Sequence, residues 1–203
     1  DTESDAVIVV FEDGITTVPQ GDIAEVTVNF EGGQDKAWVR VGDEADVSYS
    51  ANFTVTADGE DSVTFGFNTY AAGNDQNPVS LVGEYDNDPD VTFVNQSGPL
   101  NQILATGDYP MEIDSQSFGQ IDSDNSDDIA DLTVEERTVG EFNIWTTSDS
   151  TFGEFEDEED VLNAAENGTI QQDDTITNGD YVVHELQATG LEGLVDVGVD
   201  NQS

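Results

Sequence analysis

Ala24-Glu25-Val26-Thr27-Val28-Asn29-Phe30 alternates apolar with polar residues, and Glu31-Gly32-Gly33-Gln34-Asp35 then breaks the pattern with turn-forming residues. Successive side chains of a strand point to opposite faces, so a period of two buries one face and wets the other. The pattern recurs through Val47, Tyr49, Ala51, Phe53 and Val55, and again through Val63, Phe65 and Phe67. It returns at Tyr109, Met111 and Ile113, at Leu132 and Val134, and at Phe142 and Ile144. Turn-rich stretches such as Asp58-Gly59-Glu60-Asp61 and residues 74–78 separate these runs. Short strands at roughly ten-residue spacing, joined by such turns, predict an all-β chain folded as an antiparallel, Ig-like β-sandwich. Pro110 lacks a donor, which predicts an edge or a bulge for the run around it.

Two segments depart from alternation. Ala6-Val7-Ile8-Val9-Val10-Phe11 is apolar throughout, which predicts a strand buried on both faces. Asp157 to Asp160 place acids at a helix start, Val161, Leu162 and Ala165 share one face, and Gly168 ends it. The acidic stretch before that helix marks a boundary near residues 147–153. Residues 1–147 are thus expected to form the sandwich. Residues 148–203 are expected to form a short helix plus strands, a partial second unit or an extension packed on the first. Residues 175–198 read as strand again.

Charge excludes several functions. The chain has 46 Asp plus Glu against 3 Lys plus Arg, a net charge of −43 over 203 residues. Lys36, Arg40 and Arg137 cannot build a phosphate-neutralising patch, so nucleic acid is excluded as a partner. No polybasic segment is present to hold an anionic membrane surface, and no apolar run is long enough to insert in one. Such repulsion destabilises a compact state in dilute buffer, but the Debye length is only about 3 Å at 1 M salt. With 35% hydrophobic residues available for a core, the composition reads as a halophile's folded protein. There is no cysteine, hence no disulfide and no thiolate chemistry. The first residues, Asp1-Thr2-Glu3-Ser4-Asp5, fit a processed N-terminus or an excised piece, and Ser203 reads as a truncation point.

Chemistry-bearing candidates are few. Asp122, Asp124, Asp127 and Asp128 stand within seven residues, spaced by Ser123, Asn125 and Ser126. Oxygen ligands on small flexible residues suit Ca²⁺, although the loop glycine and the closing Glu of an EF-hand are missing. A solvated acidic loop is the preferred reading there and at residues 84–90, and no cofactor is expected to be required. Asn52, Asn95, Asn167 and Asn201 each begin an Asn-x-Ser/Thr acceptor for N-linked glycans. Asn95 and Asn167 are expected in loops, and Asn52 on the solvent face of a strand. His184 alternates with Val182 and Leu186, which predicts a half-buried strand position rather than a base. Trp38 and Trp145 read as core or edge packing. Lys36 and Arg40 share a strand face with Trp38 and are expected to pair with nearby carboxylates. No nucleophile motif or phosphate loop occurs, so the chain is not read as an enzyme.

Several fragments carry a family signature. Gly107-Asp108-Tyr109, Leu132-Thr133-Val134-Glu135-Glu136-Arg137 and Ile144-Trp145-Thr146-Thr147 follow one another in order. Phe65-Gly66-Phe67-Asn68-Thr69-Tyr70 lies upstream; Gly179-Asp180-Tyr181-Val182-Val183 and Ala188-Thr189-Gly190-Leu191-Glu192-Gly193 lie downstream. Together they resemble a repeated, Ig-like module of haloarchaeal cell-surface (S-layer-type) glycoproteins. The resemblance implies a secreted, N-glycosylated protein with a structural role in envelope or adhesion, often anchored by a C-terminal segment. No catalytic residues carry over from it.

The leading expectation is therefore an extracellular structural or adhesive surface module, associating with itself or with neighbouring surface proteins. Within that class the alternative is a filament subunit in which Ala6, Val7, Ile8, Val9, Val10 and Phe11 complete a neighbour's sheet. From another class come a Ca²⁺- or carbohydrate-binding module and, last, a secreted hydrolase.

Overall fold

The computed structural model describes residues 8–74, 76–100, 102–122, 124–147, 158–173 and 175–200. The chain divides into two compact units, Asp1–Arg137 with Thr189–Ser203, and Thr138–Ala188. The division falls at 137/138 and 188/189, whereas the expected boundary near 147–153 lies within the span of the second unit.

The first unit contains β1 (Val9–Phe11), β2 (Ile15–Pro19), β3 (Ile23–Phe30), β4 (Lys36–Val41) and β5 (Ala51–Thr56). It continues with β6 (Ser62–Asn68), β7 (Val79–Val82), β8 (Asp90–Gln96), β9 (Gly107–Asp114) and β10 (Asp128–Glu135). Helices α1 (Glu44–Val47) and α2 (Thr69–Gly73) fill two of the connections. One sheet runs β1-β3-β6-β7 and the other β2-β10-β9-β4-β5-β8. The alternating residues meet between them: Val26, Val28, Phe65 and Phe67 from one sheet, Val39, Phe53, Met111 and Leu132 from the other, all buried. Phe53 meets Phe65 edge-on at 4.9 Å between ring centroids, and Tyr49 stands edge-on to both Phe67 and Tyr109 at 6.4 Å. Truncating one such buried ring to alanine costs about 3–5 kcal/mol.

The all-β sandwich follows from this alternation, with two departures that have local causes. β1 pairs antiparallel with β3, whereas β2 crosses to the other sheet and runs parallel to β10. The crossing follows from the Glu12–Gly14 break, which carries the chain from one sheet to the other without reversing it. β1 buries Val9 and Phe11 but leaves Val10 half-buried, because Val10 points to the face of its sheet away from the core; Ala6 and Val7 lie outside the described residues. Pro110, expected at an edge or bulge, lies on β9 between β10 and β4. Its carbonyl accepts the Gly42 N–H at 2.7 Å, so its missing N–H faces the side where the β4 ladder has already ended at Val41. A central proline is tolerated because its missing donor falls at the end of the β4 ladder, where at most one bond is given up.

Tyr109, near the start of β9, donates its hydroxyl to the Ala105 carbonyl four residues upstream at 2.9 Å. Strands β10-β9-β4-β5 lie in the order of strands G, F, C and C′ in variable-type immunoglobulin sandwiches. A tyrosine near the start of strand F that bonds back to upstream backbone is also a feature of those sandwiches.

The second unit is a three-stranded antiparallel sheet, β12-β11-β13, formed by β11 (Val139–Thr147), β12 (Gln171–Gln172) and β13 (Tyr181–Ala188), with α3 (Glu158–Glu166). The expected helix is therefore present. The chain then rejoins the first unit as α4 (Glu192–Asp200), where strand had been expected. Leu191, Leu194 and Val195 alternate poorly, and the helix is fixed by tertiary bonds described below. His184, expected half-buried, is exposed on β13, with its ring 5.3 Å from that of Phe142.

Candidate functional site: glycan acceptors, acidic loops and a glycine joint

The outer face of the larger sheet gathers polar residues that are far apart in sequence. On β4 the residues facing away from the core are Lys36, Trp38 and Arg40. Asn52 on β5 stands opposite Asn95 on β8 and donates its Nδ2 to Asn95 Oδ1 at 2.9 Å. Arg40 Nε donates to Asn52 Oδ1 at 3.2 Å, so two acceptor asparagines and a guanidinium form one cluster. Asn95 was expected in a loop; β8 runs through Gln96, and a register shift between Asn52 and Phe53 absorbs the extra residue. Asn167 does lie in a turn, exposed, just past α3. Its Oδ1 accepts both the Thr169 N–H at 3.0 Å and the Thr169 hydroxyl. Asn201 lies outside the described residues.

The acidic loop spends its carboxylates on backbone. Asp122 Oδ1 accepts the N–H groups of Asp124 and Asn125 at 2.9 and 3.0 Å, and Asn125 Nδ2 reaches both carboxylate oxygens at 2.8 Å. These donors, the Asn125 side chain foremost, hold the Asp122 carboxyl below its ordinary range. Asp127 Oδ2 takes the Ser115 N–H at 2.8 Å, and Asp128 Oδ2 takes the Phe11 N–H at 2.9 Å. Asp122, Asp127 and Asp128 thus serve three separate stretches of backbone, and Asp124 contributes its N–H. Among the described residues no group of three or more acidic or imidazole side chains is placed to hold a metal ion. The second acidic loop is pinned the same way: Asn87 donates to Glu60 at 2.9 Å and the Asp88 N–H to Asp58 at 3.2 Å.

Two acids escape the outward rule that alternation predicts. Asp114 is 1% exposed, and its Oδ1 caps the turn through the Gln116 and Ser117 N–H groups at 2.7 and 3.0 Å. Glu112 is nearly buried on the same outer face, 3.9 Å from Arg40 Nη1. Burial pushes its carboxyl up, Arg40 pulls it back, and Asp43 and Asp122 push it up again. Arg40 also donates to the Ile121 carbonyl at 3.1 Å, which ties the acidic loop to the sheet. The expectation that Arg40 pairs with a carboxylate is met by Glu112; Lys36 instead lies 5.6 Å over the Trp38 ring.

Two of the motif stretches meet in a joint built largely from backbone. Asn68 caps α2 by accepting the Tyr70 and Ala71 N–H groups at 3.0 Å each. Its Nδ2 reaches the Gly193 carbonyl, 125 residues away, at 3.0 Å, and Asp196 at 3.2 Å. Thr69 Oγ1 accepts the Gly21 N–H and donates to the Asp22 carbonyl, both at 2.8 Å. The Gly193 N–H donates to the Gly21 carbonyl at 3.0 Å, and the Glu192 N–H to Asp22 at 3.0 Å. Glycine is required by closeness. A Cβ on Gly193 would lie 2.2 Å from Asn68 Oδ1, and one on Gly190 would lie 2.4 Å from the Gln20 carbonyl oxygen. Gly190 also has φ +86, where a side chain is strained. Sequence reasoning saw these glycines only as part of a resemblance. The usable signal was a Gly-x-x-Gly spacing at the start of a helix.

A family model described as a domain of unknown function, DUF7827, matches residues 2–116, from before β1 to just past β9. The chain belongs to this family. A "Cell surface glycoprotein" of Haloferax gibbonsii is 33% identical over 92% of the module. "Cell surface glycoprotein 1" and "Cell surface glycoprotein 2" of Haloarcula hispanica are 30% and 28% identical over 96% and 92% of it. The module spans about a fifth of the length of these relatives. No solved structure matches it. It is a haloarchaeal cell-surface glycoprotein module, located at the cell surface. Among the described residues no helix is long and apolar enough to cross a membrane.

Proposed function

We propose that the module is a non-catalytic, N-glycosylated building unit of the envelope, with Asn167 as its principal glycan acceptor. The observation that carries this reading is the Asn167 turn. Both donors of Thr169 converge on Oδ1, which polarises the amide, and among the described residues nothing engages Nδ2. An exposed amide nitrogen with its oxygen held is the group an N-glycan transfer needs. Asn52 is a poorer acceptor, since its amide is engaged on both sides by Arg40 and Asn95. The remaining polar groups support a load-bearing role over a catalytic one, because so many carboxylates are committed to fixing backbone. Glycopeptide mass spectrometry of the protein secreted from a haloarchaeal host tests the reading. Glycan mass on the peptide containing Asn167, lost in Thr169→Ala, is the expected result. A fully unmodified Asn167 peptide overturns it.

A further inference from the structure

Between α4 and the start of β7 the first unit has an open cavity of about 270 Å³. Gln76, Asn77, Pro78 and Ser80 line it from the β7 side, and Asp196 and Val197 line it from α4. Neither the acidic loops nor the glycan acceptors contribute to it. The Gln76 side-chain oxygen is buried and has no hydrogen-bond partner among the described residues. The backbone of Gln76 is tied down: its N–H donates to the Ala71 carbonyl at 3.3 Å, and its carbonyl accepts Gln96 Nε2 at 2.9 Å. A buried carbonyl oxygen left unpaired costs about 1–3 kcal/mol, so a donor is expected to meet it.

The neighbouring polar groups are also held with hydrogen-bonding capacity to spare. Asn68, only 4% exposed, donates its Nδ2 to Asp196 Oδ2 at 3.2 Å, which leaves Asp196 Oδ1 unpartnered among the described residues. Asn77 spends its Oδ1 on the Val79 N–H at 3.0 Å and keeps its Nδ2 for another acceptor. The cavity thus offers acceptors in Gln76 and Asp196, donors in Asn77 and the Ser80 hydroxyl, and apolar carbons in Pro78 and Val197. A Ca²⁺ ion matches this poorly, since it takes about 6–8 oxygens at 2.3–2.6 Å and is repelled by an amide N–H. An anion matches no better, because no Lys or Arg lines the space and Asp196 does. A neutral sugar fits both kinds of wall: each hydroxyl donates and accepts, and the ring carbons suit the apolar side. The volume suits one ring, since drug-sized ligands occupy about 300–1,000 Å³.

We propose that this cavity binds a single neutral hexose unit, with Gln76 and Asp196 accepting from its hydroxyls and Asn77 and Ser80 donating to them. The unit is a free sugar or the end of a glycan on another surface protein, and the site is independent of which asparagine of this chain is glycosylated. The test follows the side-chain amide signals of Asn68, Gln76 and Asn77 in ¹⁵N-labelled protein in molar NaCl. The probes are the methyl glycosides of glucose, mannose and galactose, and N-glycan released from a haloarchaeal surface protein. Calcium chloride and KCl form separate series. The expected result is a saturable shift with at least one sugar probe, and binding about tenfold weaker in Gln76→Ala, which keeps the backbone bonds to Ala71 and Gln96. Ser80→Ala, exposed and without effect on those bonds, is the second variant and should weaken binding as well. Saturation by the glycosides assigns the site to free sugar, and saturation by the glycan alone assigns it to a neighbour's chain. No saturable shift with any sugar probe, unchanged affinity in both variants, or a shift produced by Ca²⁺ or K⁺ in place of sugar overturns the proposal.

Discussion

Gly193→Ala should destabilise the module, although general helix rules predict the reverse. Gly193 lies in the first turn of α4, and replacing glycine by alanine inside a helix ordinarily gains about 1 kcal/mol. Here the new methyl would lie 2.2 Å from Asn68 Oδ1 and 2.6 Å from the Gly21 carbonyl oxygen, so one side must withdraw. If Asn68 moves, α2 loses the cap on its Tyr70 and Ala71 N–H groups, a loss of about 0.5–2 kcal/mol. If the helix moves, the Asn68–Gly193 and Gly193–Gly21 bonds go, at about 1 kcal/mol each. Because the Gly21 carbonyl is backbone, the helix must move whichever way Asn68 turns, and after the propensity gain is subtracted the net loss is about 1 kcal/mol. For a chain of this length that lowers Tm by roughly 2–4 °C. Urea and thermal unfolding at fixed molar NaCl, followed by circular dichroism, measure it. Gly14→Ala is the control, because a Cβ there meets nothing within 4 Å. A Gly193→Ala protein that melts at or above the parent would refute the close-approach argument.

Further outcomes follow from the same geometry. Arg40→Gln should raise the Glu112 pKa further, since Arg40 is the cation that opposes its burial; a carboxyl ¹³C titration that moved it down would contradict this. Because the folded pKa of Glu112 already stands above its unfolded value, this group favours folding more as pH falls through the folded pKa, and Arg40→Gln moves the onset of that gain to higher pH. Asp122 has the opposite sign: its folded pKa is depressed, so its contribution is present above the unfolded pKa and is lost as pH falls through the folded value, and Asn125→Ala should return its titration toward the ordinary aspartate range. Tyr109→Phe removes the bond to the Ala105 carbonyl and should cost about 0.5–1.5 kcal/mol in urea unfolding; an unchanged midpoint would contradict this. Lowering NaCl from molar to about 0.1 M lengthens the Debye length from about 3 to about 10 Å and should reduce Tm steadily; a salt-independent midpoint would remove the repulsion argument.

The strands were legible because each depends on its own residues. Alternation from Ala24 to Phe30, Ala51 to Val55 and Val63 to Phe67 set which side chains face the core, and the buried residues are those. The resemblance to a haloarchaeal surface module, carried by six fragments, agrees with the names of the relatives. Candidate sites were less legible. Four aspartates within seven residues look convergent in one dimension, yet three of them turn to separate backbone donors. Asn52 and Asn95 look independent, and the ladder between β5 and β8 makes them partners.

What the sequence determined by itself is a halophile's all-β chain, since charge per residue and a period of two are properties of each short window. The tertiary structure alone decided where Pro110 is harmless, because that depends on where β4 stops. It alone decided that residues after Gly190 become a helix held by Asn68. Each of these is a relation between backbone groups distant in sequence, fixed by strand order and close approach, and no local pattern encodes it.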